Sequence, residues 1–358
     1  MTKHSKGREP PEWTVAKPEA AGFVPDIGAR LAAGIRSGLL RGLHGVVVSR
    51  GNKIVLERYY AGADEAWGRP LGHVIFARNQ LHDLRSVTKS IVGLLYGIAL
   101  DRGLVPDPST TLLAQYPEYA DLAADPARSA LTIGQALGMT LGLEWDEQRP
   151  YSDPANSEIA MEHAVDRYRY ALDRPIAAAP GTRWIYSGGA VALIGGIIAR
   201  GTGKTLPDFA QEALFTPLGI SQFEWASGRD GTASAASGLR LLPRDLLKIG
   251  RMVNSKGIYR GRRVVAESWI AKSLAPAAPT GDGLDYGYLW FLGHAVPPAF
   301  GRSLAWAGGF GNGGQRLWLM PEADVACVIY SGNYNQMDSW VTPMRIWREI
   351  IIANLVRA

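Results

Sequence analysis

The order of strand-like and helix-like segments along this chain predicts an α+β fold, with an antiparallel sheet flanked by helices and an inserted, mostly helical subdomain. Three observations predict it. Two β-branched runs face each other across a short turn within residues 45–60. Apolar runs of strand length recur after residue 280. From about 105 to 230 the pattern is helical, broken by Pro- and Gly-rich loops. The expected organisation is an N-terminal arm over residues 1–20, a sheet subdomain from residues 21–104 and 231–358, and a helical subdomain over residues 105–230. The active site is expected between the two subdomains.

The elements follow in order. A helix is expected from about Pro25 to Leu40. Gly45-Val46-Val47-Val48-Ser49 and Ile54 to Tyr60 then flank Arg50-Gly51-Asn52-Lys53, a turn-type loop that predicts a hairpin. From Ile91 the apolar positions Ile91, Leu94, Leu95, Ile98 and Ala99 keep helical spacing, so this helix buries a face. Arg102-Gly103 marks its end, since glycine accepts the left-handed conformation that closes helices. Later strands are expected over Tyr286 to Leu292, Ser303 to Ala307, Gln315 to Met320 and Val325 to Ser331. A last helix from Ser339 to Val356 carries Val341, Ile346, Ile350, Ile351 and Leu355 against the sheet.

Composition narrows the function classes. The 358 residues are 47% hydrophobic and 20% charged, which is globular and large enough for a sizeable core. The net charge of +5 comes partly from Lys3, Lys6, Arg8 and Lys17. No basic run carries interleaved aromatics, which argues against nucleic acid as a partner. The basic start lacks a following apolar segment, and no run reaches membrane-spanning length. The chain therefore reads as cytoplasmic, with no membrane partner, as a monomer or homodimer. Cys327 is the single cysteine and lies in an apolar run, as a buried structural thiol does. Six histidines show no metal-ligand spacing, so no metal and no cofactor are expected. Gly201-Thr202-Gly203-Lys204-Thr205 ends like a phosphate loop, but Ile198 stands where that loop needs glycine, and a helix precedes it. It reads as a helix cap.

The chemistry begins at Ser86-Val87-Thr88-Lys89. Positions i and i+3 share a helix face, which brings a hydroxyl to an amine. Serine is a weak nucleophile until a base takes its proton, and a lysine can do so if its pKa falls. Ser86 heads the buried helix, where free N–H groups favour developing negative charge. A second piece is Pro180-Gly181-Thr182-Arg183-Trp184-Ile185-Tyr186-Ser187-Gly188-Gly189, leading into an apolar helix. The Tyr186 phenol can relay protons beside cations, or it is simply a half-buried core tyrosine. Ile329-Tyr330-Ser331-Gly332 repeats the tetrapeptide, but without the Pro-Gly-x-x-Trp lead. The third piece, Trp306 to Gln315, is glycine-rich beside a strand. It suits either close backbone approach to a ligand or a mobile loop between edge strands.

Taken together, these pieces resemble the class C β-lactamase-like serine hydrolases. That group includes D-Ala-D-Ala carboxypeptidases, family VIII esterases and 6-aminohexanoate-dimer hydrolase. The segments Leu131-Thr132-Ile133, Met139 to Leu143, Leu214 to Ile220 and Tyr286-Gly287-Tyr288 are similar to the same group. His82-Asp83-Leu84-Arg85-Ser86 and Gly311-Asn312-Gly313-Gly314-Gln315 lean towards its 6-aminohexanoate-dimer hydrolase and esterase side. The resemblance implies Ser86 as acylated nucleophile, Lys89 as base and Tyr186 as proton relay. It implies an oxyanion hole made by the N–H groups of Ser86 and Gly309. Two departures stand out. Gly188 replaces a frequent Asn, and Trp306-Ala307-Gly308 replaces the Lys-Thr-Gly that holds a substrate carboxylate. The loop from Glu144 to Pro154 resembles the segment overhanging the site, so Trp145, Tyr151 and Asp153, with Trp306 and Gly308, are expected to line the pocket.

The expected function is hydrolysis of a small ester or amide through an acyl-enzyme on Ser86, the substrate being a small molecule. β-Lactamase or D-amino-acid peptidase activity, and a catalytically silent ligand-binding protein, stay open as alternatives.

Overall fold

The computed structural model describes residues 12–357. Its frame is a nine-stranded sheet. In chain order the strands are β1 (Thr14–Val15), β2 (Leu43–Arg50), β3 (Lys53–Tyr59), β4 (Ala278–Pro279), β5 (Asp285–Tyr286), β6 (Phe291–Ala295), β7 (Leu304–Gly311), β8 (Gln315–Met320) and β9 (Val325–Ser331). They lie side by side as β1-β3-β2-β9-β8-β7-β6-β5-β4, antiparallel except for β1 on β3. Both chain ends thus build one sheet, as an α+β fold requires. Of the expected arm, residues 1–11 lie outside the described residues, while Thr14–Val15 hugs the sheet edge.

The sheet is covered on both faces, which explains why β9 reads as an unbroken apolar run. Side chains alternate across the strands. Val46, Val48 and Cys327 pack with Ile27 and Leu31 of helix α1 (Ile27–Arg36) and with Ile346, Trp347 and Ile350 near the C-terminus. Val47, Leu317 and Val328 face the other core. There lie helices α2 (Val87–Asp101), α3 (Ser157–His163), α4 (Gly188–Thr202) and α5 (Pro243–Asn254). Cys327 is buried.

Helix α2 is sealed from Val87 to Ala99. Burying each of Ile91, Leu94 and Leu95 stabilises by roughly 1.5–3 kcal/mol. The helix closes as expected, with Gly103 at φ +67°. Gly203, also at φ +67°, caps α4, so the phosphate-loop mimic is a helix end.

Three expectations are corrected. The strand from Tyr286 to Leu292 is split, because Leu289 adopts φ +62° and its carbonyl accepts from Ser90 Oγ of α2 at 2.6 Å. The strand expected over Ser303 to Ala307 runs instead over Leu304–Gly311, so the glycine-rich segment is largely strand and not a mobile loop. Its missing side chains let it lie against α2, where a Cβ on Gly309 would stand 3.0 Å from Ser90 Oγ. The last helix is shorter, starting at Val341, and widens to a π-helical turn over Ile346–Ile351.

Candidate active site

A short strand, His82–Asp83, pairs with Leu239–Leu241 and delivers the chain to α2. Arg85 turns the corner at φ +48°, a left-handed conformation that costs about 1–2 kcal/mol for a residue with a Cβ. Its guanidinium is held by Glu65, by Asp83 at 3.4 Å and by the Tyr334 ring at 5.0 Å. The corner sets Ser86 at the start of α2, 7% exposed, with no backbone acceptor for its N–H.

Lys89 lies one turn on and its Nζ donates to Ser86 Oγ at 2.9 Å and to the Ala236 carbonyl at 3.2 Å. The ammonium also stands 4.7 Å from the centre of the Tyr186 ring. Tyr186 precedes α4, whose first turn is capped by Ser187 Oγ accepting from the Ala190 N–H at 3.1 Å. The structure therefore brings Ser86, Lys89 and Tyr186 together, with Gly309 against the same end of α2.

Two buried carboxylates that the motifs did not single out complete the cluster. Glu147 Oε2 and Glu158 Oε2 each lie 3.9 Å from Lys89 Nζ. Glu147 Oε1 accepts from Trp145 Nε1 at 2.6 Å and from the Gly188 N–H. Glu158 stands in the first turn of α3, capped by Asn156, and accepts from Ser237 at 2.6 Å. Asn156 followed by Ser157-Glu158 was a legible cap, but nothing local pointed it at Lys89.

These carboxylates decide the charge of Lys89. Burial alone would push its pKa down. Tyr186, Glu158 and Glu147 outweigh burial and hold it above the ordinary lysine value. The sequence argument needed a lysine of lowered pKa, and the surroundings act the other way. Burial raises the Tyr186 phenol, against the pull of Lys89. Burial also raises Glu147 to about 7, partly offset by Lys89. The cluster therefore titrates as a coupled unit around a cationic lysine.

Two cavities meet at Ser86. One, of about 580 Å³, is lined by Trp145, Glu147, Tyr186, Phe291, Phe310 and Arg316 among others. The second, of about 670 Å³, is lined by Glu65, Arg85, Glu158, Glu162 and Arg229 among others. Ser86, Tyr151 and Asn312 line both. Tyr151 OH approaches Glu158 at 3.4 Å and Glu147 at 3.5 Å.

Three expected pocket residues lie elsewhere. Asp153 lines neither cavity, because its carboxylate caps the Ala155 N–H at 2.8 Å and pairs with Arg149. Trp306 and Gly308 lie on the sheet face away from α2. Trp306 packs in the core beside Gly293, and Gly308 sits against Phe310 and Trp318.

Behind Ser86, His82 Nδ1 bonds the Asp83 carbonyl at 3.0 Å and His82 Nε2 bonds His44 Nδ1 at 2.9 Å. Among the described residues, His44, Asp64 and His82 are the three groups whose ligand atoms could converge on a metal ion. The histidines already bond each other, and the Arg240 guanidinium stands 3.9 Å from Asp64. No helix among the described residues is long and apolar enough to cross a membrane.

Comparison with known proteins gives the family and the fold. A family model described as Beta-lactamase matches residues 31–340, and the chain belongs to that family. It is 26% identical over 356 residues to the 6-aminohexanoate-dimer hydrolase of Paenarthrobacter ureafaciens, covering 93% of this chain and 80% of that one. A shorter match, 32% over 109 residues, links it to the lovastatin esterase of Penicillium rubens, covering 28% of this chain and 26% of that one. The structure of EstCE1, a hydrolase with promiscuous acyltransferase activity, superposes with a TM-score of 0.70 at 15% identity. That match covers 91% of this chain and 98% of that one, and shows a shared fold.

Proposed function

We propose that this chain is a serine hydrolase that cleaves a small ester or amide through an acyl-enzyme on Ser86. The observation that carries the reading is the 2.9 Å contact between Lys89 Nζ and Ser86 Oγ at the head of a buried helix, on the floor shared by two cavities. The relatives named as a 6-aminohexanoate-dimer hydrolase and a lovastatin esterase support a hydrolase acting on a small molecule.

In this mechanism Ser86 Oγ attacks the carbonyl carbon while its proton passes to the phenolate oxygen of Tyr186, the form of the phenol that the adjacent Lys89 ammonium stabilises. The carbonyl oxygen gains the negative charge. The N–H groups of Ser86 and Gly309 receive it, a term that ordinarily contributes 10²–10³-fold per donor. Collapse breaks the ester or amide bond, and Tyr186 returns the proton to the leaving oxygen or nitrogen. Water then attacks the acyl-serine by the reverse proton path. Glu147 and Glu158 keep Lys89 cationic, so its part is to stabilise negative charge on Oγ and on the phenol oxygen. The site lies where the helical part, residues 105–230, meets the sheet part, which is the domain division we propose.

The test is hydrolysis of p-nitrophenyl butyrate by the wild type and by Ser86→Ala. The expected outcome is a loss of kcat/KM of about 10³-fold or more in the variant, since no other nucleophile can form the acyl-enzyme. Equal rates in both proteins would overturn the mechanism.

A further inference from the structure

The cavity on the Tyr186 side contains a cation without a counter-ion. Arg316 is 7% exposed and projects from β8. Its Nη1 donates to the carbonyls of Gly311 at 3.0 Å and Gln315 at 2.8 Å. The guanidinium lies 4.6 Å from the Phe310 ring centre and 5.7 Å from that of Trp318. No carboxylate of the described residues comes within 4.0 Å of it, and its Nε is buried without a partner. A guanidinium keeps its charge when buried, so the cost of burying it is repaid only by an anion or by several acceptors. Here two carbonyls serve one nitrogen and the rest of the fork is unused. Burial pushes its pKa down only to about 10, so it remains charged at neutral pH.

A second arginine stands at the same cavity. Arg183 is exposed, and it makes no hydrogen bond or ion pair with the described residues. The carboxylate that lines the same cavity, Glu147, is engaged by Lys89, Trp145 and Gly188. On the other side of Ser86, the second cavity carries Glu65, Glu158 and Glu162. There the three carboxylates stand beside two arginines, Arg85 and Arg229, whereas on the Arg316 side two arginines stand beside one carboxylate and offer unpaired donors next to the stacked Phe291 and Phe310 rings.

Tyr186 lines the Arg316 cavity and not the other. In the mechanism above, Tyr186 protonates the leaving group, so the leaving group occupies that cavity. We infer that Arg316, assisted by Arg183, binds a carboxylate carried by the leaving alcohol or amine of the substrate. The inference rests on the acyl-enzyme reading. Trp306-Ala307-Gly308 stands where related enzymes carry the Lys-Thr-Gly that holds a substrate carboxylate, and in this inference the role passes to the neighbouring strand and to a planar fork instead of an ammonium.

The test compares two butyrate esters, phenyl butyrate and 4-carboxyphenyl butyrate, which differ by one carboxylate on the leaving group. The wild type should show a higher kcat/KM for the carboxylated ester. Arg316→Gln and Arg183→Gln should raise KM for that ester, by about 10- to 100-fold for Arg316, while leaving phenyl butyrate within a factor of two. A competition readout needs no turnover of the probe. Benzoate should inhibit the wild type more strongly than benzamide, and the difference should vanish in Arg316→Gln. If Arg316→Gln fails to fold, Arg183→Gln and the benzoate–benzamide difference at rising salt decide the matter, because the anion's advantage should shrink with ionic strength. Hydrolysis of both esters at equal kcat/KM, with equal inhibition by benzoate and benzamide, would overturn the inference and leave the acyl-enzyme intact. No Ser86-dependent hydrolysis of either ester would overturn both.

Discussion

Replacing Glu147 by Gln tests the electrostatic core of the mechanism. Gln keeps an acceptor at Oε1 for Trp145 Nε1 and the Gly188 N–H, so the local frame survives. What goes is one negative charge 3.9 Å from Lys89 Nζ. Coulomb's law at that distance gives about 4 kcal/mol for an effective dielectric of 20, and about 1 kcal/mol for a fully water-like one. At 1.36 kcal/mol per pH unit, the lysine-linked ionisation should move down by about one to three units. The ionisation of Glu147 itself, raised to about 7 by burial, should disappear. The assay is kcat/KM for p-nitrophenyl butyrate from pH 5 to 10. Wild type should show an inflection near 7, and Glu147→Gln should lack it, with its alkaline limb moved to lower pH. Circular dichroism on both proteins confirms that the fold is kept. Superimposable profiles would refute the claim that this carboxylate sets the charge of Lys89.

Three further predictions follow from the packing and the buried charges. Gly309→Ala places a Cβ 3.0 Å from Ser90 Oγ and 3.1 Å from Val87 Cγ1, which forces β7 away from α2. Steady-state kinetics should show kcat reduced by about tenfold or more with KM little changed, and an unchanged kcat would remove Gly309 from the oxyanion hole. Gly97→Ala drives a Cβ into the Trp269 indole three turns along α2 from Ser86, and should cost about 1–3 kcal/mol in urea unfolding. Turnover per folded molecule should stay the same in that variant. Burial holds His44 and His82 neutral with pKa values of about 3, below the unfolded value, so the stability they carry is complete above about pH 6.5 and is lost as pH falls towards 3. Asp83, raised to about 6 by burial, acts in the opposite sense in every variant that retains it, so the readout is a difference: His44→Gln should lose less stability than wild type between pH 7.5 and 5, and parallel curves would disprove the linkage.

Much of the frame was legible because it is periodic. The run Val325–Ser331 and the helix from Ile91 to Ala99 announce themselves by apolar spacing, and Gly103 and Gly203 by the left-handed caps they allow. The glycine-rich strand was not legible as a strand, since glycine disfavours extended structure by itself. Only the close approach to Ser90 and Val87 explains it. Leu289 broke its strand for a similar reason, because a carbonyl bonded to Ser90 overrode local preference.

The pairing of Ser86 with Lys89 was set by the sequence itself, because a spacing of three on a helix is dictated by backbone geometry within one turn. The charge on that lysine belongs to the tertiary structure alone. Glu147 and Glu158 come from separate segments, and only the packing of α3 and its preceding loop on α4, which itself lies against α2, brings them to 3.9 Å. The unpaired guanidinium of Arg316 is likewise a product of tertiary packing. Sequence fixes which residue is cationic, but burial and the distance to every other charge depend on contacts between segments far apart in the chain.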